Sequence, residues 1–178
     1  TFGEYFDQSL DNVAWPAGLQ ILTFEGDFNQ NLDNVRWPAG LQSLTFGDDF
    51  NQNLDHVTWP ASLQSLTFGQ SKTALQKSNF NQSLGNMTWP PGLQSFTFWQ
   101  RFHQNLDTVI WPAGLQSLTF GRFFNQNLDN VTWPAGLQRL NLGDYFNQSL
   151  DNVTWPAGLQ HLNFCGGDFN QNLDNVRW

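Results

Sequence analysis

Leu115-Gln-Ser-Leu118-Thr-Phe120-Gly-Arg-Phe-Phe124-Asn125-Gln-Asn-Leu128-Asp-Asn-Val131-Thr-Trp133-Pro134-Ala-Gly136 is one complete unit of this chain, and its reading decides the fold. Its apolar set is Leu115, Leu118, Phe120, Phe124, Leu128, Val131 and Trp133. The same set recurs in the same phase as Leu41, Leu44, Phe46, Phe50, Leu54, Val57 and Trp59. Trp15, Trp37 and Trp59 are spaced by 22 residues, as are Trp89, Trp111, Trp133 and Trp155. Two steps are longer. Trp59 to Trp89 is 30 residues, an insertion of eight, and Trp155 to Trp178 is 23. A fixed period with a fixed apolar phase means that every unit meets the same neighbours, the condition for a solenoid.

Within the unit only Leu118-Thr-Phe120 alternates apolar and polar, which places a short strand at 117–120. Gly121 then turns the chain. Trp133-Pro134-Ala135-Gly136 makes a second corner, because proline fixes φ and glycine tolerates positive values. The stretch between the corners is too short for a long helix and reads as extended chain or a single helical turn. The expected architecture is a β-rich solenoid, a right-handed stack of coils with one short parallel strand per 22-residue repeat. Turns or single helical turns take the other side. Eight coils spaced at ~4.8 Å give a domain roughly 38 Å long. Residues 1–178 read as one such domain, with the insertion within 70–79.

The L-x-x-L-x-F phrase, the following Phe-Asn, the later L-x-x-V and the Trp-Pro corner together resemble a leucine-rich repeat. Leu-Thr-Phe-Gly-x-x-Phe-Asn-Gln is especially similar to the FNIP-type subfamily. The resemblance covers the chain except 70–79. It implies a leucine-rich-repeat-like coil stack, and it implies a surface for interaction with partners rather than a particular chemistry.

Composition narrows the function classes. The net charge is −8 with 7 Lys plus Arg, so the surface repels phosphate and lacks the basic stripe of a nucleic-acid binder. No run of 18 apolar residues is present to span a membrane. The single Cys165 permits no intrachain disulfide and leaves the compartment open. Phosphate-binding loops, paired catalytic carboxylates and zinc spacings do not occur, and no cofactor is called for. His56, His103 and His161 occupy three different phases of the repeat and do not gather into a ligand set. His161 and Cys165 share a strand face without the third group that a nucleophilic pair needs.

The polar columns read mainly as structure. Asn29, Asn51, Asn81, Asn125, Asn147 and Asn170 form one column, with Asp7 and His103 on its other rungs. An amide there can pair backbone groups of successive coils. Asp11, Asp33, Asp55, Asp107, Asp129, Asp151 and Asp174 form a second, expected to cap a turn that starts at the next residue. A Ca²⁺ row is the sharper alternative, but one carboxylate per coil is sparse for it. Thr45, Thr67, Thr97 and Thr119 stack on the outward strand face, flanked by Ser43, Ser65, Ser95 and Ser117. This array is the basis for an alternative reading as a surface-ligand protein, for ice or carbohydrate. Strand propensity alone also accounts for it. The Trp and Phe columns share phase with Leu and Val and read as core rather than as stacking platforms.

The informative residues are those that break the repeat. The insertion carries both lysines of the chain, Lys72 and Lys77, with Leu75 between them. At the strand exit, where other coils have glycine, stands Trp99. The next rim positions hold Arg101, Arg122 and Phe123, where other coils hold acids. Lys72, Leu75, Lys77, Trp99, Arg101, Arg122 and Phe123 are therefore the candidate partner-binding residues, since an aromatic beside cations is the composition of an interface anchor. The alternative is that Trp99 packs beneath the insertion. Thr1-Phe2-Gly3 and Val176-Arg177-Trp178 fall mid-unit, so both ends are expected to be uncapped and covered by further repeats or another subunit. The chain as a whole reads as a non-catalytic protein-interaction or scaffold module, part of a longer array or complex.

Overall fold

A computed structural model describes residues 1–70 and 78–177. Among the described residues seven strands run in chain order: β1 (Ile21–Thr23), β2 (Ser43–Phe46), β3 (Ser65–Phe68), β4 (Ser95–Phe98), β5 (Ser117–Thr119), β6 (Arg139–Leu142) and β7 (His161–Phe164). They form one parallel sheet ordered β1 to β7. Phe2 bridges Phe24 and adds a rung before β1. The register is the repeat itself: Leu44 faces Leu66, and Thr45 faces Thr67. Leu66 faces Phe96 across the insertion, so the extra residues leave the strand phase intact. A one-residue slip would put Leu and Phe into water, which holds the register in place.

Across from the sheet, the described residues form turns and no helix. Among the described residues no helix is therefore long and apolar enough to cross a membrane. The Val35 N–H donates to the Leu32 carbonyl at 3.1 Å, and the Leu41 N–H to the Pro38 carbonyl at 3.1 Å. The aspartate column works differently from a helix cap. The Asp33 N–H donates to Asn31 Oδ1 at 2.7 Å, and Asn31 Nδ2 donates to Asp33 Oδ2 at 3.1 Å. Asp55, Asp107 and Asp129 repeat the backbone bond with Asn53, Asn105 and Asn127. Each aspartate is the recipient of an Asx turn, because the amide two residues earlier is the nearer acceptor.

The core is two columns of phenylalanine. Phe46 stacks on Phe50 at 4.2 Å within a coil, and on Phe68 at 5.5 Å in the next. Phe98 and Phe102 repeat this at 3.9 Å. All of these rings are fully buried. Trp59, Trp111 and Trp133 close the opposite corner, with Trp37 and Trp59 stacked at 6.2 Å and 12°.

The asparagine column is a ladder. The backbone N–H of Asn51 donates to Asn29 Oδ1 at 2.9 Å, that of Asn81 to Asn51 Oδ1 at 2.9 Å, and that of His103 to Asn81 Oδ1 at 3.0 Å. Glutamines reinforce it, as when Gln52 Nε2 donates to Asn29 Oδ1 at 3.0 Å. At the first rung Asp7 accepts from the Asn29 N–H and from Gln30, and the former above all holds its carboxyl below the usual carboxylate range. His103 interrupts the column. Its Nδ1–H turns back to the Arg101 carbonyl at 2.8 Å, leaving the Asn125 N–H without the side-chain oxygen its counterparts receive. His103→Asn is expected to restore the rung and raise stability by about 1 kcal/mol. Urea denaturation of the two proteins would measure it; equal midpoints would show that the rung contributes nothing.

Candidate partner-binding cleft

The strand exits hold a second column, of glycines, and here the coils stack backbone on backbone. A Cβ on Gly121 would run into the Trp99 carbonyl carbon and the Gln100 nitrogen. One on Gly143 would run into the Gly121 carbonyl. Glycine is required at this corner by close approach. Because these coils carry no side chain at the exit, their turns close directly against one another.

Trp99 breaks the column, and a surface cleft has Trp99 and Cys165 among its lining residues. The cleft has a volume of about 440 Å³ and is floored by Phe120, Gly121 and the Phe98 edge. Thr119, Asn141 and Asn163 line it from the strand face, and Arg122 and Asp144 from the rim. Asn141 Nδ2 donates to Thr119 Oγ1 at 3.0 Å, which fixes one polar edge.

Accommodating Trp99 strains the backbone. Gln100 has φ of 30°, in the left-handed region that side-chain-bearing residues avoid. The equivalent position in the β1 coil also follows a non-glycine exit, Glu25, and there the positive φ of 53° falls on Gly26. Of the two coils with a positive φ at this position, only the Trp99 coil lacks a glycine there. Gln100→Gly is expected to stabilise the chain by about 1 kcal/mol, read as a rise in thermal midpoint. No change would mean the position is unstrained. Local strain held by its surroundings is a mark of functional positions.

Beyond the cleft mouth Arg122 organises an exposed cluster. Its Nε lies 3.7 Å from Asp144 Oδ2, its Nη2 donates to the Tyr145 hydroxyl at 3.0 Å, and its guanidinium carbon sits 5.1 Å over the Tyr145 ring. Phe123 and Tyr145 meet at 5.3 Å while remaining 44% and 38% exposed. An ion pair this exposed adds little stability; its effect is to hold the guanidinium and two aromatic edges in one orientation. Partial burial, then the Asp144 carboxylate, push the Cys165 thiol up, so it is a poor nucleophile. Among the described residues no three His, Cys, Asp or Glu side chains gather as a metal site would require.

Of the residues that the sequence singles out, Trp99 and Arg122 line the cleft, and Phe123 stands beside it. Arg101 is exposed on the next turn of the rim and does not line it. Lys72, Leu75 and Lys77 lie outside the described residues. Thr45, Thr67, Thr97 and Thr119 stack in register on the strand face, half-buried, and of these Thr119 reaches the cleft. The threonine column ends at Asn141 and Asn163, and the serine column at Arg139 and His161. Asn141, Asn163, Asp144 and Cys165 are cleft residues that sequence reasoning missed. Trp99 in the glycine column was the available signal, since it marks the coil whose exit turn departs from its neighbours. Grooves of about 870 Å³ between Trp15 and Trp37 and about 530 Å³ between Trp37 and Trp59 lie on the turn side.

The FNIP Repeat profile matches residues 28–71 and 124–164. The protein CroV588, described as a novel circular LRR protein structure, is similar over 99% of this chain, at 38% identity and a TM-score of 0.83. The chain spans 25% of the length of that protein. No curated protein matches.

Proposed function

We propose, from a leucine-rich-repeat-like solenoid that carries FNIP repeats, that the chain is a non-catalytic protein-interaction module whose partner seats on the strand-exit rim around Trp99. The observation that carries this reading is the coincidence of three departures from the repeat in one place. Trp99 replaces glycine, Gln100 takes a strained φ to allow it, and the cleft they bound opens beside an exposed Arg122–Phe123–Tyr145 cluster. Aromatics and arginine held rigidly at a concavity are what a partner's anchoring side chain selects. Lys72, Leu75, Lys77 and Arg101 are assigned to the same surface by sequence, as extensions of it. The array is proposed to work within a larger assembly, as one arc does in a ring. The similarity to a quarter of a circular protein favours that arrangement.

Trp99→Gly tests the proposal without endangering the fold, because Gly47, Gly69, Gly121 and Gly143 occupy the equivalent place. Affinity capture from the native source, followed by titration of the captured protein, is expected to show binding weakened tenfold or more. The thermal midpoint should hold or rise. A partner held equally by both proteins would move the site to the regular strand face.

A further inference from the structure

Asn86, Asn130 and Asn152 each stand two residues before a threonine, and Asn81 and Asn147 two residues before a serine, with no proline between. That spacing is the acceptor pattern for N-linked glycans. The fold divides the asparagines into two groups. Asn81 and Asn147 belong to the ladder and are half-buried. Asn81 Oδ1 accepts from the His103 N–H at 3.0 Å, and Asn147 Oδ1 accepts from the Asn170 N–H and from Gln171 Nε2, both at 2.9 Å. Asn86, Asn130 and Asn152 share one phase of the repeat, in tight turns across the coil from the strands, and are exposed together with Thr88, Thr132 and Thr154. The turns are closed by the next residue, as when the Val131 N–H donates to the Leu128 carbonyl at 3.1 Å. The fold requires neither half of the motif. Other coils place His56 or Thr108 at the asparagine position, and Ala14, Arg36 or Ile110 at the threonine position. Three coils nonetheless keep both.

We infer that Asn86, Asn130 and Asn152 are modification sites that carry N-linked glycans. The inference does not depend on the partner cleft, which borders the strand face on the other side of the coil. The donor is a lipid diphosphate-linked oligosaccharide. The asparagine Nδ2 bonds to the anomeric carbon of its first sugar, and the bond from that carbon to the diphosphate oxygen breaks. The lipid diphosphate leaves, and one Nδ2 proton passes to a base of the transferase. A sugar on an exposed turn extends into solvent. On Asn81 or Asn147 it would be crowded by the next coil, whose backbone bonds to the same side chain. The long contact from Asn152 Nδ2 to Asp129 Oδ2, 3.4 Å and exposed, is readily given up. Asn130 and Asn152 lie in adjacent coils, whose strands stand about 4.8 Å apart, so a glycan on one crowds the other. Asn86 is two coils from Asn130 and escapes that crowding.

The test treats protein purified from its native source with peptide N-glycosidase in heavy-oxygen water. The enzyme releases the glycan and leaves a heavy aspartate in place of each asparagine that carried one, which peptide mass spectrometry locates. The expected result is a fall in intact mass on treatment, with the label on Asn86 and on Asn130 or Asn152, and none on Asn81 or Asn147. Thr88→Val combined with Thr132→Val and Thr154→Val, expressed in the same cells, should lose the whole mass shift. Ser83→Ala combined with Ser149→Ala should keep it. Equal circular dichroism spectra ensure that a lost shift is not a lost fold. An untreated native chain with the mass of its bare sequence overturns the inference. Label on Asn81 or Asn147 as heavy as on the three turn asparagines overturns it too, because exposure then does not select the sites.

Discussion

Phe98→Ala is expected to lower stability by about 3–5 kcal/mol, and to break the unfolding transition in two. Phe98 is fully buried. It lies 3.9 Å from Phe102 in its own coil, 5.7 Å from Phe120 in the next, and 6.1 Å from Phe68 in the one before. A coil in a solenoid has only those two neighbours, so the loss falls on the coupling between them rather than on a core shared by the whole chain. The β6 coil places Leu142 in the same column, so Phe98→Leu is the milder comparison, expected to cost less than 1.5 kcal/mol or thereabouts. Urea unfolding followed by tryptophan emission should show the coils before and after β4 separating in the alanine variant. A single transition displaced by less than about 1 kcal/mol would mean that the coils relax into the gap, unlike close-packed interiors.

Gly143→Ala is expected to be comparably damaging for a smaller change, about 3 kcal/mol or more. The added methyl would lie inside the envelope of the Gly121 carbonyl oxygen, and 3.0 Å from the Arg122 oxygen. Both are backbone atoms of the preceding coil, so no side-chain rotation relieves the clash. The coils must part, weakening the β5–β6 pairing that joins Thr119 to Asn141. Gly167→Ala is the control, since its Cβ would meet nothing within 4 Å. It should fall within about 0.5 kcal/mol of the parent. Equal thermal midpoints for Gly143→Ala and Gly167→Ala would show that the glycine column is not what brings the coils together.

The sequence made the coil stack legible because its period is written in the residues that pay off only when stacked. Leu44, Phe46 and Phe50 share a phase with Leu66, Phe68 and Phe80 across an insertion, and no other arrangement keeps all six buried. The asparagine ladder was legible for the same reason. The aspartate turns were misjudged because the cap reading treats the Asp33 side chain as the acceptor, whereas the bonded group is the Asp33 N–H, held by Asn31 Oδ1. Trp99, Arg122 and Phe123 stood out as departures from the repeat. Their cleft-mates did not. Asn141 and Asn163 looked like the fading of a threonine column, and Gly121 looked like an ordinary turn.

The tryptophan column also has an optical consequence. Trp37 lies 6.5 Å from Trp15 and 6.2 Å from Trp59, with rings nearly parallel. Trp133 and Trp155 repeat this at 6.5 Å, and Trp89 and Trp111 approach to 5.3 Å. At such separations an excited indole passes its energy to its neighbour before it emits. The chain therefore carries short antennas along one corner, whose transition dipoles couple. Their near-ultraviolet circular dichroism carries a contribution from that coupling, which isolated indoles lack. That signal belongs to the contact between coils and vanishes when they separate, so the protein contains its own gauge of whether its coils are stacked.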